Sequence, residues 1–325
     1  MEKIHCTHEY PEEEQRKNEE VRKRLNNISM IKVIDLLKRG KTVSINLLYG
    51  KPVADSIYKD IHYPNKKVLH IFQVGDLEES NRYIKNKIKK AESLGIPTQL
   101  HKAETKEKVD KIWEELISLT KIPNRDEVSG IFVQLPFEFD RFMEDTFLRV
   151  IPPEFDVDGL THYNLGRLLD GSRTSLNFVP ATAHGVIDML KYYNIPIEGK
   201  TVGVIGRSNL VGKPLIPLLL EENATVISMN SYTDKKNLAS LSKQCDILVV
   251  AIGKANFIDS NFIKDGATVI DVGINFDESG KLVGDVDSNS LRKEGWNGNL
   301  SPVPGGVGPL TIANLMRNVN IRAWR

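Results

Sequence analysis

In the stretch SNRYIKNKIKKAESLGI, which has helical periodicity, Ser80, Tyr83 and Lys87 fall at i, i+3 and i+7. That spacing puts Tyr83 and Lys87 on one face, one turn apart. A ring beside an amine suits a planar substrate, because the ring offers dispersion and quadrupole interactions to a flat heterocycle. A tyrosine packed into the core would show the same periodicity. A second candidate lies in TVGVIGRSNLVGKP, where Gly203, Gly206 and Gly212 surround a strand-to-helix turn. Missing Cβ atoms let backbone approach a pyrophosphate there while helix N–H groups face it. The spacing departs from GxGxxG, and purely structural glycine turns are common, so context decides. An apolar strand before the turn and LIPLLLEEN after it provide the setting that nucleotide binding requires.

NAD-specific folds place a carboxylate about 20 residues beyond such a turn, where it holds the ribose hydroxyls. Met229, Asn230 and Ser231 stand at that point. A 2′-phosphate would be held by the Arg207 guanidinium and the hydroxyls of Ser208 and Ser231, so NADP is preferred over NAD. The alternative is a solvated arginine with two turn-forming serines, and Asp234 is an acid close by in sequence.

Elements must hold these residues in place. VLHIFQV reads as a short apolar strand, residues 80–94 as a helix stopped by Gly95, and ETKEKVDKIWEELISLT as a helix with Val109, Ile112, Leu116 and Leu119 at helical spacing. GIFVQLP follows as a buried strand, which gives an α/β half-molecule with a parallel sheet. A second series begins near residue 176: a helix through GVIDMLKYYN, strand TVGVIG, a helix through LIPLLLEEN, then strands ATVISM, DILVVAIG and ATVIDVGI. This alternation is the pattern of a doubly wound nucleotide-binding domain. IANLMRNVNI is again helical in period. Residues 1–44 are a charged extension, amphipathic where Ile31, Ile34 and Leu37 share a face, and read as an arm with one docking helix.

A chain of 325 residues with 40% apolar content can bury a core of two ordinary domains or one elaborated domain. Its 44 basic and 43 acidic residues leave no net field to draw it to nucleic acid or a membrane, which favours a small-molecule partner. Cys6 and Cys245 are the two cysteines, far apart and without CxxC spacing, so neither a disulfide framework nor a zinc site is expected. No apolar run approaches the roughly 20 residues of a membrane span. Glu12, Glu13, Glu14, Glu19 and Glu20 are unlike a mitochondrial transit peptide, so a cytoplasmic location is expected.

The helix carrying Tyr83 and Lys87, followed in order by VQLP, DVDGLTHYNLGRL, GRSNLVGKP and PVPGGVGPLT, resembles the methylenetetrahydrofolate dehydrogenase/cyclohydrolase family over roughly residues 45 to 320. The resemblance implies a two-lobed α/β fold. A folate-binding catalytic domain would span 45–175, completed by a C-terminal helix in 300–325, and a Rossmann-type NADP-binding domain would span 176–299. It also implies a homodimer acting on tetrahydrofolate one-carbon derivatives. In the reaction of that family a hydride leaves the one-carbon bridge for the nicotinamide, and water then attacks the methenyl cation to give the formyl product. Lys87 matches the catalytic lysine of the family. A methenyl cation and partial desolvation would both push its amine toward the neutral form, able to activate water.

Gln134, between Val133 and Leu135 in VQLP, would hold that amine through its amide oxygen, with a strand-capping glutamine as the alternative. Asp158 matches the aspartate that accepts hydrogen bonds from the pterin. Read as residues alone, Asp156 and Asp158 before a glycine fit a turn as well as an imitation of a metal loop, and further oxygen ligands are missing, so no metal is expected. Pro304, Gly305, Gly306, Val307 and Gly308 would wall the same pocket, while Ile274 and Thr311 would border the cofactor.

Several positions depart from the family pattern. Phe155 stands where a lysine is usual before DVDG, and the PCTPxG loop reads PATAHG with Ala181, Ala183 and His184. His184 reads as a surface histidine, with a new polar contact as the alternative. Asn230 replaces a histidine, Ala255 replaces a proline, and the segment between GKPV and VLHIFQVG is short. Both activities are expected to survive, with altered rates or cofactor preference. The alternatives are a dehydrogenase without hydrolase activity, or a non-catalytic folate- or nucleotide-binding regulatory protein.

Overall fold

The computed structural model describes residues 44–64, 66–121, 126–171 and 178–323. The expected docking helix around Ile31–Leu37 lies outside the described residues.

The first sheet has three parallel strands, β2 (Val68–Val74), β3 (Thr98–Ala103) and β4 (Val128–Gln134), in the order β3-β2-β4. From Leu69 onward every residue of β2 is buried, as in a sheet covered on both faces. Helix α1 (Gly50–Lys59) precedes β2, α2 (Glu78–Ser93) joins β2 to β3, and α3 (Val109–Leu119) joins β3 to β4. Glu78 and Glu79 in the first turn of α2 and Lys90 in its last complement the helix dipole. Ser80, Ile84, Lys87 and Ala91 form the buried stripe of α2, whereas Lys85 and Lys89 are exposed. The periodicity therefore singled out the one lysine that faces inward from the central turns. Lys90 is half-buried, with its ammonium 4.2 Å from the centroid of the Tyr58 ring. After β4 come two short helices, α4 (Arg141–Val150) and α5 (His162–Leu169), which start at the capping side chains of Asp140 and Thr161.

The second sheet has six strands in the order β1-β11-β8-β7-β5-β6, all parallel. Its members are β5 (Thr201–Ile205), β6 (Thr225–Met229), β7 (Ile247–Val250), β8 (Thr268–Asp271), β11 (Gly298–Leu300) and β1 (Ile45–Leu47). Chain order reverses between β5 and β7, the switch point of a doubly wound sheet. The expected boundary at residue 45 needs correcting, because β1 pairs with β11 at the edge of this sheet. Ile45 and Leu47 pack there against the cluster containing Val269, Trp296 and Leu300. The crossover helices are α6 (Ala181–Tyr192), α7 (Gly212–Glu221) and α8 (Lys235–Ser242). A small hairpin, β9 (Asn275–Phe276) with β10 (Leu282–Val283), and α9 (Ser288–Lys293) complete the lobe.

The last helix, α10 (Gly308–Ala323), packs on both α1 and α6 and also reaches β4 and α2. One continuous apolar cluster runs from Leu69, Ile71 and Ile84 of the first lobe through Leu310 and Met316 to Val204 and Leu215 of the second. A shared core of this kind fixes the spacing between the lobes, and with it the shape of the cleft.

Candidate active site

Lys87 lies at the bottom of the cleft, only 6% exposed. Its Nζ donates to Gln134 Oε1 at 3.0 Å and stands 4.3 Å from the centroid of the Phe132 ring. Gln134 Nε2 donates to the Leu135 carbonyl at 2.8 Å. Only the NH₂ end of an amide can serve a carbonyl, so this bond sets the side chain with its oxygen toward the amine. Burial holds the Lys87 amine below the usual lysine range, with the charge of Asp158 pulling it back up. The Asp158 carboxyl is pushed up by burial, with Lys87 lowering it and Asp156 raising it. Both shifts favour uncharged forms, so the lysine has a neutral amine within reach.

Tyr83, one turn before Lys87, is half-buried, and its phenol is raised first by burial and then by the charge of Glu79. Tyr83, Lys87, Val133, Gln134, Leu135 and Asp158 line one cavity of about 510 Å³, within the range of small-molecule sites. The two aspartates of DVDG have separate roles. Asp156 is buried and accepts hydrogen bonds from Leu160 N, Thr161 N and Asn164 Nδ2, which fastens the turn that opens α5. Asp158 reaches the cavity instead. Gly159 behind it has φ 72°, and a Cβ there would lie 2.7 Å from Pro180 N, so only glycine lets this loop close against residues 178–180.

Pro304, Gly305, Gly306, Val307 and Gly308 all line a cavity that opens past Tyr83 and carries Lys51, Arg82 and Lys90, and Val307 and Gly308 also line the Lys87 cavity. The loop expected to wall one pocket thus borders two spaces, with Val307 and Gly308 facing both. Ile274 borders both spaces, and Thr311 borders the Lys87 cavity.

A third cavity lies at the carboxyl edge of the second sheet and is lined by Gly206, Arg207, Ser208 and Ser231. Gly206 has φ 130°, and a Cβ on it would lie 2.2 Å from Ala251 O; one on Gly212 would lie 2.1 Å from Gly206 O. The first turn of α7 therefore approaches the strand end as closely as a pyrophosphate cradle requires. Gly203 is different, since a Cβ there would strike Cys245 Sγ and Leu248, so it serves packing within the sheet. The Ser208 hydroxyl accepts from Val211 N at 3.2 Å, bracing the turn and keeping its own O–H for a ligand. Asp234 is not among the lining residues: it caps α8, accepting from Lys236 N and Asn237 N.

Between the second and third cavities runs the loop after β7. Its Ile252, Gly253 and Lys254 N–H groups all donate to the Asp285 carboxylate, at 2.7, 3.1 and 2.8 Å. Gly253 faces the Lys87 cavity and Lys254 the nucleotide end, so a dinucleotide reaching from one to the other would cross this pinned loop. The absence of a carboxylate among the lining residues of the nucleotide end and the glycine cradle together fit NADP.

The family description "Tetrahydrofolate dehydrogenase/cyclohydrolase, catalytic domain" matches residues 48–158, and the corresponding NAD(P)-binding domain matches residues 180–325. The chain belongs to the tetrahydrofolate dehydrogenase/cyclohydrolase family. The bifunctional protein FolD of Bacillus subtilis is 43% identical over 251 residues, covering 77% of this chain and 84% of that protein. The bifunctional protein FolD of Agathobacter rectalis is 41% identical over 285 residues, covering 84% and 97%. Among solved structures, the bifunctional FolD of Campylobacter jejuni superposes with a TM-score of 0.77 at 35% identity, covering 86% of this chain and 99% of that one. The Trypanosoma brucei enzyme, solved with NADP and an inhibitor, gives 0.75 at 30% identity, covering 85% and 95%.

The departures from the family pattern fall mostly outside the cleft. Phe155 is fully buried among Phe147 and Ile131, with the Arg322 guanidinium 4.5 Å from its ring centroid. Ala183 is buried in α6. His184 is a half-buried polar contact rather than a surface histidine, with Nε2 3.4 Å from Arg317 Nη1. Ala181 and Asn230 do border cavities. Sequence reasoning missed Thr182, which faces the Lys87 cavity with its Oγ1 3.1 Å from Thr311 Oγ1, and it missed Lys235 and Lys254 at the nucleotide end. For the two lysines the available signal was their position after the ends of β6 and β7, where ligands of doubly wound sheets bind.

Proposed function

We propose that this chain oxidises 5,10-methylenetetrahydrofolate to 5,10-methenyltetrahydrofolate with NADP and hydrolyses that product to 10-formyltetrahydrofolate. The observation that carries the reading is the convergence of Tyr83, Lys87, Gln134 and Asp158 on one cavity beside a nucleotide-binding sheet edge. Bound NADP supplies the hydride acceptor. The protein's part in that step is alignment: Tyr83 stacks on the folate, Asp158 accepts hydrogen bonds from the pterin, and the wall at Val307 and Gly308 limits how the one-carbon bridge can sit. Ile274 of the second lobe and Thr311 of α10 face the same space, as the nicotinamide end requires, while Gly206, Arg207, Ser208 and Ser231 take the adenosine end.

In the hydrolytic step, neutral Lys87 removes a proton from water as the oxygen bonds to the methenyl carbon. One carbon–nitrogen bond then breaks as the remaining O–H gives up its proton to form the formyl C=O, and the released ring nitrogen keeps the electron pair and takes up a proton. Gln134 holds the amine with its lone pair free for this task, because the amide oxygen accepts one of its N–H groups. A dehydrogenase lacking hydrolase activity is disfavoured by the placement of Lys87.

We also propose that the protein is a cytoplasmic homodimer. Among the described residues no helix is long and apolar enough to cross a membrane. Light scattering at twice the 36.6 kDa chain mass checks the dimer. The activity is tested by supplying methylenetetrahydrofolate with NADP or NAD and following reduced cofactor, methenyl and formyl species together. Ligand binding without turnover would leave only a binding protein.

A further inference from the structure

Three cations converge on the nucleotide end from three successive strand ends. Arg207 follows β5, Lys235 begins α8 after β6, and Lys254 follows β7. All three side chains are exposed, and among the described residues none is in an ion pair. The lining of their cavity includes no aspartate or glutamate, and the nearest acid in sequence, Asp234, is occupied in capping α8. Such a cluster repels itself unless an anion sits among the charges. Two of the three positions are preset. The Lys254 backbone is pinned through its N–H to Asp285 at 2.8 Å, and the Lys235 backbone is the first residue behind the Asp234 cap. Arg207 is laid over the Tyr232 ring, 5.1 Å from its centroid, and Lys254 stands 5.4 Å from the Phe257 centroid, so apolar faces flank the charges where an adenine could lie.

Resting on the reading of this edge as the nucleotide site, we infer that Lys235 and Lys254 join Arg207 in binding the ribose 2′-phosphate and so set the choice of NADP over NAD. A carboxylate at the end of the second strand would accept the ribose hydroxyls of NAD, whereas a ring of cations rewards the additional phosphate.

The test uses the full chain and two probes, adenosine 2′,5′-bisphosphate and adenosine 5′-monophosphate, with affinities measured by calorimetry. Lys235→Gln and Lys254→Gln should each weaken the bisphosphate about tenfold, the effect of one lost charge-assisted contact, and the double variant more. The monophosphate should change by less than about twofold, and the salt dependence of bisphosphate binding should become shallower with each substitution. Hydrolysis of methenyltetrahydrofolate without nucleotide should be unchanged in all variants, which reports an intact fold. If the double variant keeps the wild-type ratio between the two probes, the lysines do not select the 2′-phosphate and the inference is overturned. Equal losses for both probes overturn it too, assigning the lysines to the 5′-phosphate. If the wild-type chain itself binds neither probe nor NADP, the nucleotide reading of the edge fails, a result separate from any effect of the lysines.

Discussion

Gly50, the first residue of α1, tests whether the cleft wall is held in place by the elements beneath it. Its N–H donates to Gly305 O at 2.8 Å, and a Cβ built on it would lie 1.9 Å from Gly306 O and 3.0 Å from Gly306 C. Real Cβ atoms essentially never come within 3.0 Å of such a neighbour, so Gly50→Ala must move the PVPGGVG loop or the start of α1 by about 1.1 Å. Overpacking of this sort costs roughly 1–3 kcal/mol of stability, and the melting temperature should fall by several degrees. The catalytic effect should be larger in proportion. A misplacement of about 1 Å at a reacting centre can cost on the order of 100-fold, or roughly 2.7 kcal/mol of transition-state stabilisation. The displaced carbonyls border the space past Tyr83, so the loss should appear in kcat/KM for the folate substrate, with the KM for NADP moving far less. Steady-state kinetics with each substrate varied in turn, together with a thermal melt, measure all of this. A folded variant whose folate kcat/KM stays within about threefold of wild type would refute the reasoning, since the loop would then not be the wall that positions the substrate.

Lys87→Met should lower formyl production by about 100- to 10,000-fold, the span of a lost general base, while substrate binding persists; unchanged hydrolysis in a methenyl-decay assay rejects its role. Gln134→Leu removes the acceptor that orients the amine, and should slow hydrolysis by about tenfold with little change in folate KM, a split that a general loss of folding would not give. Because burial holds the Lys87 amine below the usual lysine range, the neutral form is lost as pH falls, so enzyme-catalysed hydrolysis should rise with pH to a plateau that begins below that range. An uncatalysed blank is subtracted, and a flat profile argues against the lysine. His70, buried beside His101 with its Nδ1 2.9 Å from His101 Nε2, is pushed down to about 4 from 6.5, first by burial and then by that neighbour. The folded chain favours the neutral ring, so its contribution is complete above pH 6.5 and falls away toward pH 4, in total roughly 3 kcal/mol. Denaturant melts of wild type and His70→Asn across that window should converge as pH falls; parallel curves would contradict the shift.

The alternation of elements was readable because each long segment had a clear period, and the spacing of Tyr83 and Lys87 on α2 placed both in the cleft. The helices α4 and α5 went unread although each carried the capping side chain, Asp140 or Thr161, that marks a helix start. The attachment of β1 to β11 was not legible, since a three-residue strand says nothing of a partner about 250 residues away. Asp156 and Asp158 were told apart by the resemblance alone, because as residues their roles depend on which one the α5 turn captures. Lys235 and Lys254 were hidden for a similar reason: a lysine after a strand is ordinary until the sheet order brings three strand ends to one edge.

The placement of the site suggests why its two chemistries can vary separately. Tyr83, Lys87, Gln134 and Asp158 are all carried by the first lobe, on α2, the end of β4 and the loop into α5. On the proposed mechanism, the geometry that activates water is thus set within one unit. Hydride transfer additionally needs the second lobe's strand ends at the correct distance, and that distance depends on α10, whose Asn318 Nδ2 donates to Val157 O at 2.9 Å and Val179 O at 3.2 Å across the junction. Phe155 and Ala183 both lie in packed interior, Phe155 in the first lobe's own cluster just before the Asp158 loop and Ala183 in the core that the two lobes share. The residues that face the nucleotide, by contrast, can change cofactor choice without touching the amine at all.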